Sequence, residues 1–203
     1  MQKAEALLIV DVQNDFCPDG ALAVPGGDRV VEPLNRMAAG FAAAGLPVLA
    51  SRDWHPPVTR HFSGFGGVWP AHCVQETPGA AFHPALRLPE GAVVISKGID
   101  PDRDAYSAFD GLDAAGNPLG EILARLRVKQ LVVGGLATDY CVRSSVLDAR
   151  KAGLEVMLLT DAIAGVDLAA GDSDKALDEM ERAGVIFCST DEALRRIAGL
   201  SAP

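Results

Sequence analysis

Short, near-continuous aliphatic runs alternate with longer amphipathic ones along this chain, and that alternation restricts the fold more than any other feature. Six runs, 6–12, 47–51, 92–96, 131–135, 155–160 and 185–188, are apolar along most of their length, the pattern of strands covered on both faces. Between them Val30, Leu34, Met37, Ala38 and Phe41 keep the i, i+3, i+4 spacing of a helix that starts between Asp28 and Pro33. Residues 138–152 and 173–183 read as further helices, with Thr138 and Asp172 or Ser173 as N-cap candidates and Gly153 and Gly184 as C-terminal stops. Strand and helix in alternation predict an α/β fold of three layers, α/β/α, around a mainly parallel six-stranded sheet with right-handed crossovers. In the common strand order 3-2-1-4-5-6, Lys97 leaves an edge strand about 9.6 Å from the strand that carries Asp11, a gap its side chain must bridge.

The 203 residues are expected to form one domain, 1–203, interrupted by a long irregular stretch at about 52–91 that is a candidate functional loop. Lys and Arg number 18 against 27 Asp and Glu, a net charge of −9 with no basic run, which argues against nucleic-acid and anionic-membrane partners. The apolar run at residues 6–10 is too short for a signal segment or a membrane span, so a cytoplasmic protein is expected. Four cysteines, none in a CxxC spacing, predict reduced thiols rather than a disulfide framework. A homo-oligomer stays open at this stage.

Function in an open α/β sheet sits beyond the carboxyl ends of the strands. There the sequence places Asp11, Asp53, Lys97 and the turn 134–141, bringing acid, base and thiol to one crevice. Cys141 falls near the start of a helix, where free N–H groups and the positive dipole end favour a thiolate, and Lys97 pushes the same way. Asp11 can accept the thiol proton, and the N–H groups of Ala137 and Cys141 can receive an oxyanion, which together are the parts of an acyl-transfer site. Cys17, Cys73 and Cys188 read as core thiols.

All four histidines fall within 29 residues, His55 to His83, an arrangement that random placement gives on the order of 1% of the time. Asp53 and His55 point to one side of an extended segment, and with one or two further imidazoles from the loop they match a ligand set for Zn²⁺, Mn²⁺ or Fe²⁺. His83, beside Pro84, reads as loop structure.

Five ordered motifs then carry a resemblance: 11–18 (DVQNDFCP), 52–56 (RDWHP), 69–74 (WPAHCV), 96–98 (SKG) and 136–142 (LATDYCV). Together they resemble the nicotinamidase (pyrazinamidase) family of the isochorismatase-like hydrolases, with the similarity running from Leu7 to about Asp161. The resemblance implies hydrolysis of nicotinamide to nicotinate and ammonia, a part in NAD salvage, activity on pyrazinamide, and a small-molecule amide as partner. By similarity Cys141 is the nucleophile, Asp11 the proton shuttle and Lys97 the charge that holds the pair ionised. Asp53, His55 and His72 match the family's metal ligands and His61 a further ligand of some members. One divalent ion, Zn, Fe or Mn, is thereby implied as a template for the substrate ring. Phe16, Trp69 and Tyr106 match positions that flank that ring, and the bond before Ala137 is implied to be cis. An N-carbamoyl amidase, which keeps a similar Cys-Asp-Lys set, is the rival enzymatic reading; chelation and a preference for pyridine amides separate the two. A non-catalytic α/β binding module would rest on Gly134-Gly135, which matches neither GxGxxG nor GxxxxGK[ST]. A metal-stabilised structural protein would lose thermal stability without its ion yet hydrolyse no amide.

Overall fold

The computed structural model describes residues 5–200. Six strands, β1 (Glu5–Val10), β2 (Val48–Asp53), β3 (Val93–Lys97), β4 (Gln130–Leu136), β5 (Glu155–Ala164) and β6 (Ile186–Cys188), pair in parallel in the order β3-β2-β1-β4-β5-β6. Each aliphatic run expected to be a strand is one, and the 3-2-1-4-5-6 order holds.

Alternation along the strands feeds two separate cores. Leu7 and Ile9 of β1 face one apolar cluster, closed by Leu34, Met37 and Phe41 of α1 (Val31–Ala43) and by Ala193 and Ile197 of a helix at Thr190–Leu200. Ala6, Leu8 and Val10 face the other, closed by α2 (Leu119–Arg125), α3 (Arg143–Lys151) and α4 (Asp172–Arg182); the Thr190–Leu200 helix is α5. The three layers follow directly. Among the described residues no helix is long and apolar enough to cross a membrane.

Local differences from the expected elements have physical reasons. A 3₁₀ turn at Gly27–Val30 precedes α1, so Pro33 falls in the first turn, where its missing N–H costs nothing. Residues 138–142 form a π turn before α3, and Thr138 makes no side-chain cap. Asp172 and Ser173 do not cap α4 either: its N-cap is Gly171 at φ 85°, while Asp172 accepts from the Ala169 N–H and the Ser173 hydroxyl donates to Asp167. Gly153 and Gly184 end α3 and α4 in the left-handed region, as expected. Helices α2 and α5 are additions to the sequence reading; α2 is only 7 residues long, too few for periodicity to register.

Candidate active site

Chain geometry at the strand ends brings the charged residues together. Parallel pairing sets Asp53 opposite Lys97 on neighbouring strands. One residue past β1 the chain turns at Asp11, which sits at φ 49°, a conformation aspartate tolerates better than most side chains. The extended Lys97 side chain passes Asp53 and ends 2.5 Å from Asp53 Oδ1, 3.0 Å from Asp11 Oδ2 and 3.3 Å from Cys141 Sγ. The distance between an edge strand and β1 is therefore spanned. Nζ also donates to the Ala105 carbonyl at 3.1 Å, and the Ser51 hydroxyl donates to Asp11 Oδ1 at 2.7 Å. Asp11, Asp53, Lys97 and Cys141 are all buried.

Burial and mutual charge set the protonation of this cluster. Burial disfavours the charged form of Lys97, but the carboxylates of Asp11 and Asp53 overcome it and hold the ammonium well above its ordinary pKa. Burial would raise Asp53, yet Lys97 and the neighbouring imidazoles pull it far below the usual carboxylate range. Asp11 goes the other way, raised by burial and by Asp53 against the opposing pull of Lys97. The Cys141 thiol is also raised, by burial first and then by Asp11 and Asp53, with Lys97 lowering it. The expected thiolate stabilisation by the helix end and Lys97 is thus opposed by dehydration and by two acids, which favour the neutral thiol.

The imidazoles converge beside Asp53. One ligand atom each of His55, His61 and His72 lies within 4.8 Å of the others. Asp53 Oδ2 stands 3.7 Å from His55 Nε2 and 3.9 Å from His72 Nε2. Each ring ties its Nδ1 to an acceptor: the Gly98 carbonyl at 3.1 Å for His55, Asp104 Oδ1 at 2.6 Å for His61 and the Pro70 carbonyl at 2.8 Å for His72. With Nδ1 carrying the proton, each Nε2 is left as a lone-pair donor, the arrangement that orients imidazoles toward a cation. His55 Nε2 is buried without a hydrogen-bond partner, an orphan that a bound ion would satisfy. Burial lowers His72 to about 4 and also lowers His61, so both rings are neutral at pH 7. Three imidazoles and a carboxylate fit one divalent cation. The Asp11, Asp53 and Cys141 ligand atoms also lie within 4.8 Å of one another, but the Lys97 ammonium contacts all three and makes that cluster a poor cation site.

Between the imidazoles and Cys141 opens a pocket. Phe16, Trp69 and Tyr106 line it, as do Ala137 and Cys141. Trp69 donates its indole N–H to Tyr106 Oη at 2.9 Å, and Tyr140 meets Trp69 edge-on at 4.9 Å between centroids. The Leu136–Ala137 peptide is cis. Tyr140, Leu22 and Val166 complete the walls without having been singled out from the sequence. Tyr140 stood inside a recognised motif, whereas Leu22 and Val166 are brought in by loops that carry no motif. Asp104, which holds His61, likewise had no sequence signal. His83 lies outside the pocket, accepting from the Ala85 N–H, and Cys17 and Cys73 are buried thiols that burial raises, Cys17 to about 11.

A polar cluster is buried at the carboxyl end of a doubly wound parallel sheet and opens on an aromatic pocket, and similarity to known proteins makes the chain an α/β amidohydrolase acting on a carboxamide. The isochorismatase domain model matches residues 5–192, and the chain belongs to that family. It is 43% identical to the nicotinamidase of Escherichia coli over 195 residues, covering 88% of this chain and 92% of that protein. Identity is also 43% to the nicotinamidase/pyrazinamidase of Mycobacterium tuberculosis, over 91% of this chain and 99% of the relative. Among solved structures, the pyrazinamidase of Pyrococcus horikoshii in complex with zinc superposes with a TM-score of 0.85 at 45% identity, over 92% of this chain and 99% of that one. PnC1 of L. infantum in complex with nicotinate gives 0.82 at 33% identity, over 93% and 94% of the two chains.

Proposed function

We propose that this chain hydrolyses nicotinamide to nicotinate and ammonia, and pyrazinamide likewise, through a thioester on Cys141. The observation that carries the reading is the position of the Lys97 ammonium, 3.0 Å from Asp11 and 3.3 Å from Cys141 Sγ at the edge of an aromatic pocket. Relatives with nicotinamidase activity along nearly the whole chain support the substrate assignment.

The chemistry follows from the protonation pattern. Asp11 takes the Cys141 proton, and the thiolate forms beside Lys97, whose charge offsets the cost of the buried anion. Sγ adds to the carboxamide carbon, and the oxyanion is received by the N–H groups of Ala137 and Cys141. As the C–N bond breaks, Asp11 returns the proton to the departing nitrogen and ammonia leaves. Asp11 then takes a proton from water, the hydroxide adds to the thioester carbon, and collapse releases nicotinate and restores the thiol. Asp53, His55, His61 and His72 would hold the divalent ion, which supplies a Lewis-acidic anchor for the pyridine nitrogen. Phe16, Trp69 and Tyr106 give flat walls to a flat ring. The aromatic walls and the imidazole set favour a heteroaromatic amide over the flexible substrates of an N-carbamoyl amidase.

Ammonia release from a panel of nicotinamide, pyrazinamide, benzamide and an N-carbamoyl amino acid tests the reading, with and without a chelator. Nicotinamide and pyrazinamide are expected to turn over and to lose most of that turnover on chelation. Cys141→Ala is expected to release no ammonia while keeping its circular dichroism. Preference for the N-carbamoyl compound, or appreciable turnover by Cys141→Ala, overturns the proposal.

A further inference from the structure

Gln13 is wholly buried and has no place in the chemistry above, yet its side-chain amide makes three hydrogen bonds. Its Oε1 accepts from the Asp53 N–H at 2.7 Å, and its Nε2 donates to the Asp53 carbonyl at 2.8 Å and to the Ala80 carbonyl at 2.9 Å. The first two bonds clamp both main-chain groups of one residue, as a neighbouring strand would, at the point where β2 ends and ladder pairing stops. Gln13 is itself tied back, its N–H donating to the Asp11 carbonyl at 2.8 Å. One amide thus joins the turn carrying Asp11 to the residue that both clusters share. Asp53 turns Oδ1 to Lys97 at 2.5 Å and Oδ2 toward His55 and His72.

We infer that Gln13 is a positioning residue that fixes Asp53 so that its two oxygens serve the imidazole set and the Lys97–Cys141 centre at once. The inference rests on the reading of Asp53 as a shared ligand and counter-ion given above. Three buried hydrogen bonds converge on one amide, and removing them leaves an N–H and two carbonyls to find other partners. Residues 12–14 and 81–83 also pair through Asn14 and His83, so this segment keeps a main-chain tether when the amide is lost, and Asp53 is the group set free.

Gln13→Met keeps the volume and removes all three bonds; Gln13→Glu keeps the acceptor for the Asp53 N–H and loses the two donated bonds. Gln130→Met is the control: Gln130 is equally buried, accepts from Arg196, and lies at the opposite end of the sheet. Zinc dissociation constants of the three variants and the parent are measured by competition with a chromogenic chelator, and Cys141 alkylation by iodoacetamide is followed in the zinc-free chains. Gln13→Met is expected to weaken zinc at least tenfold and to slow alkylation at least fivefold, because an ammonium released from Asp53 no longer faces Sγ. Gln130→Met is expected to stay within twofold of the parent on both measures whatever it loses in Tm. Unchanged zinc affinity and alkylation in Gln13→Met, or equal losses in Gln130→Met, overturn the inference. Should Gln13→Met fail to fold, Gln13→Glu decides by the same thresholds. A parent chain that takes up no zinc overturns the metal reading instead, and alkylation alone then decides the role of Gln13.

Discussion

Lys97 shows how much can depend on one residue. It is the buried cation facing Asp11 and Asp53, and each of those carboxylates is fully or nearly fully buried. Removing one partner of a buried ionic cluster leaves uncompensated charge, which costs about 3–5 kcal/mol. Lys97→Met is therefore expected to lower the unfolding free energy by about that amount in urea titrations at pH 7.5. Ammonia release should fall by at least a thousandfold, since thiolate formation loses its stabilising charge. Lys97→Arg is expected to rescue little of either, because a planar guanidinium cannot reach two carboxylates and a sulfur as one compact ammonium does. A Lys97→Met chain as stable as the parent would mean that Asp11 and Asp53 share a proton in the folded state.

At the level of the elements, the glycines of β4 bear on how the site is assembled. Gly134-Gly135 matches no phosphate-binding pattern in sequence, and the reason for Gly135 is packing. It sits at φ 130°, and a Cβ there would lie 2.0 Å from the Val10 carbonyl oxygen of β1. Gly135→Ala is expected to force β1 and β4 apart at the point from which Asp11 emerges. The loss should be on the order of 3 kcal/mol in stability, with ammonia release reduced more than the fraction unfolded accounts for. Circular dichroism melts and activity measured on the same sample separate the two effects. Much of the architecture was legible because parallel strands buried on both faces leave aliphatic runs, and because Asp11, Asp53 and Lys97 stand at strand ends and Cys141 in the turn that follows β4. What sequence could not give were properties set by distant neighbours. Cys141 read as a thiolate from its place near a helix, and only the folded chain sets Asp11, Asp53 and burial against that. Leu22, Val166 and Asp104 entered from loops whose course no local pattern dictates. The caps expected at Thr138 and Asp172 gave way to a π turn and to Gly171 because tertiary contacts fixed those starts.

On the scale of the whole molecule, the imidazole set ties the long loop to the sheet, since His55 follows β2 while His61 and His72 come from deeper in the loop. An ion held there binds only the folded chain. At a thousandfold excess over its dissociation constant it contributes about 4 kcal/mol, or roughly 8–16 °C in Tm for a chain of this size. Chelation is expected to lower Tm by that order, and adding back a divalent ion such as zinc to restore it. The chelated chain should also become acid-sensitive in a defined window. Burial lowers His72 to about 4, against 6.5 for an unhindered imidazole, so between these values the folded state binds fewer protons than the unfolded one. Stability is therefore full above pH 6.5 and falls as pH drops toward 4, by up to about 3 kcal/mol from this ring; His61, lowered in the same direction, adds to the decline. Asp11, raised by burial, opposes it at the acid end by favouring its protonated folded form. His72→Gln removes this ring's contribution, so Tm of the chelated variant is expected to vary less between pH 7 and 5 than that of the chelated parent. Parallel melting curves for the two chains across that range would instead mean that His72 is as free to protonate in the folded chain as in the unfolded one.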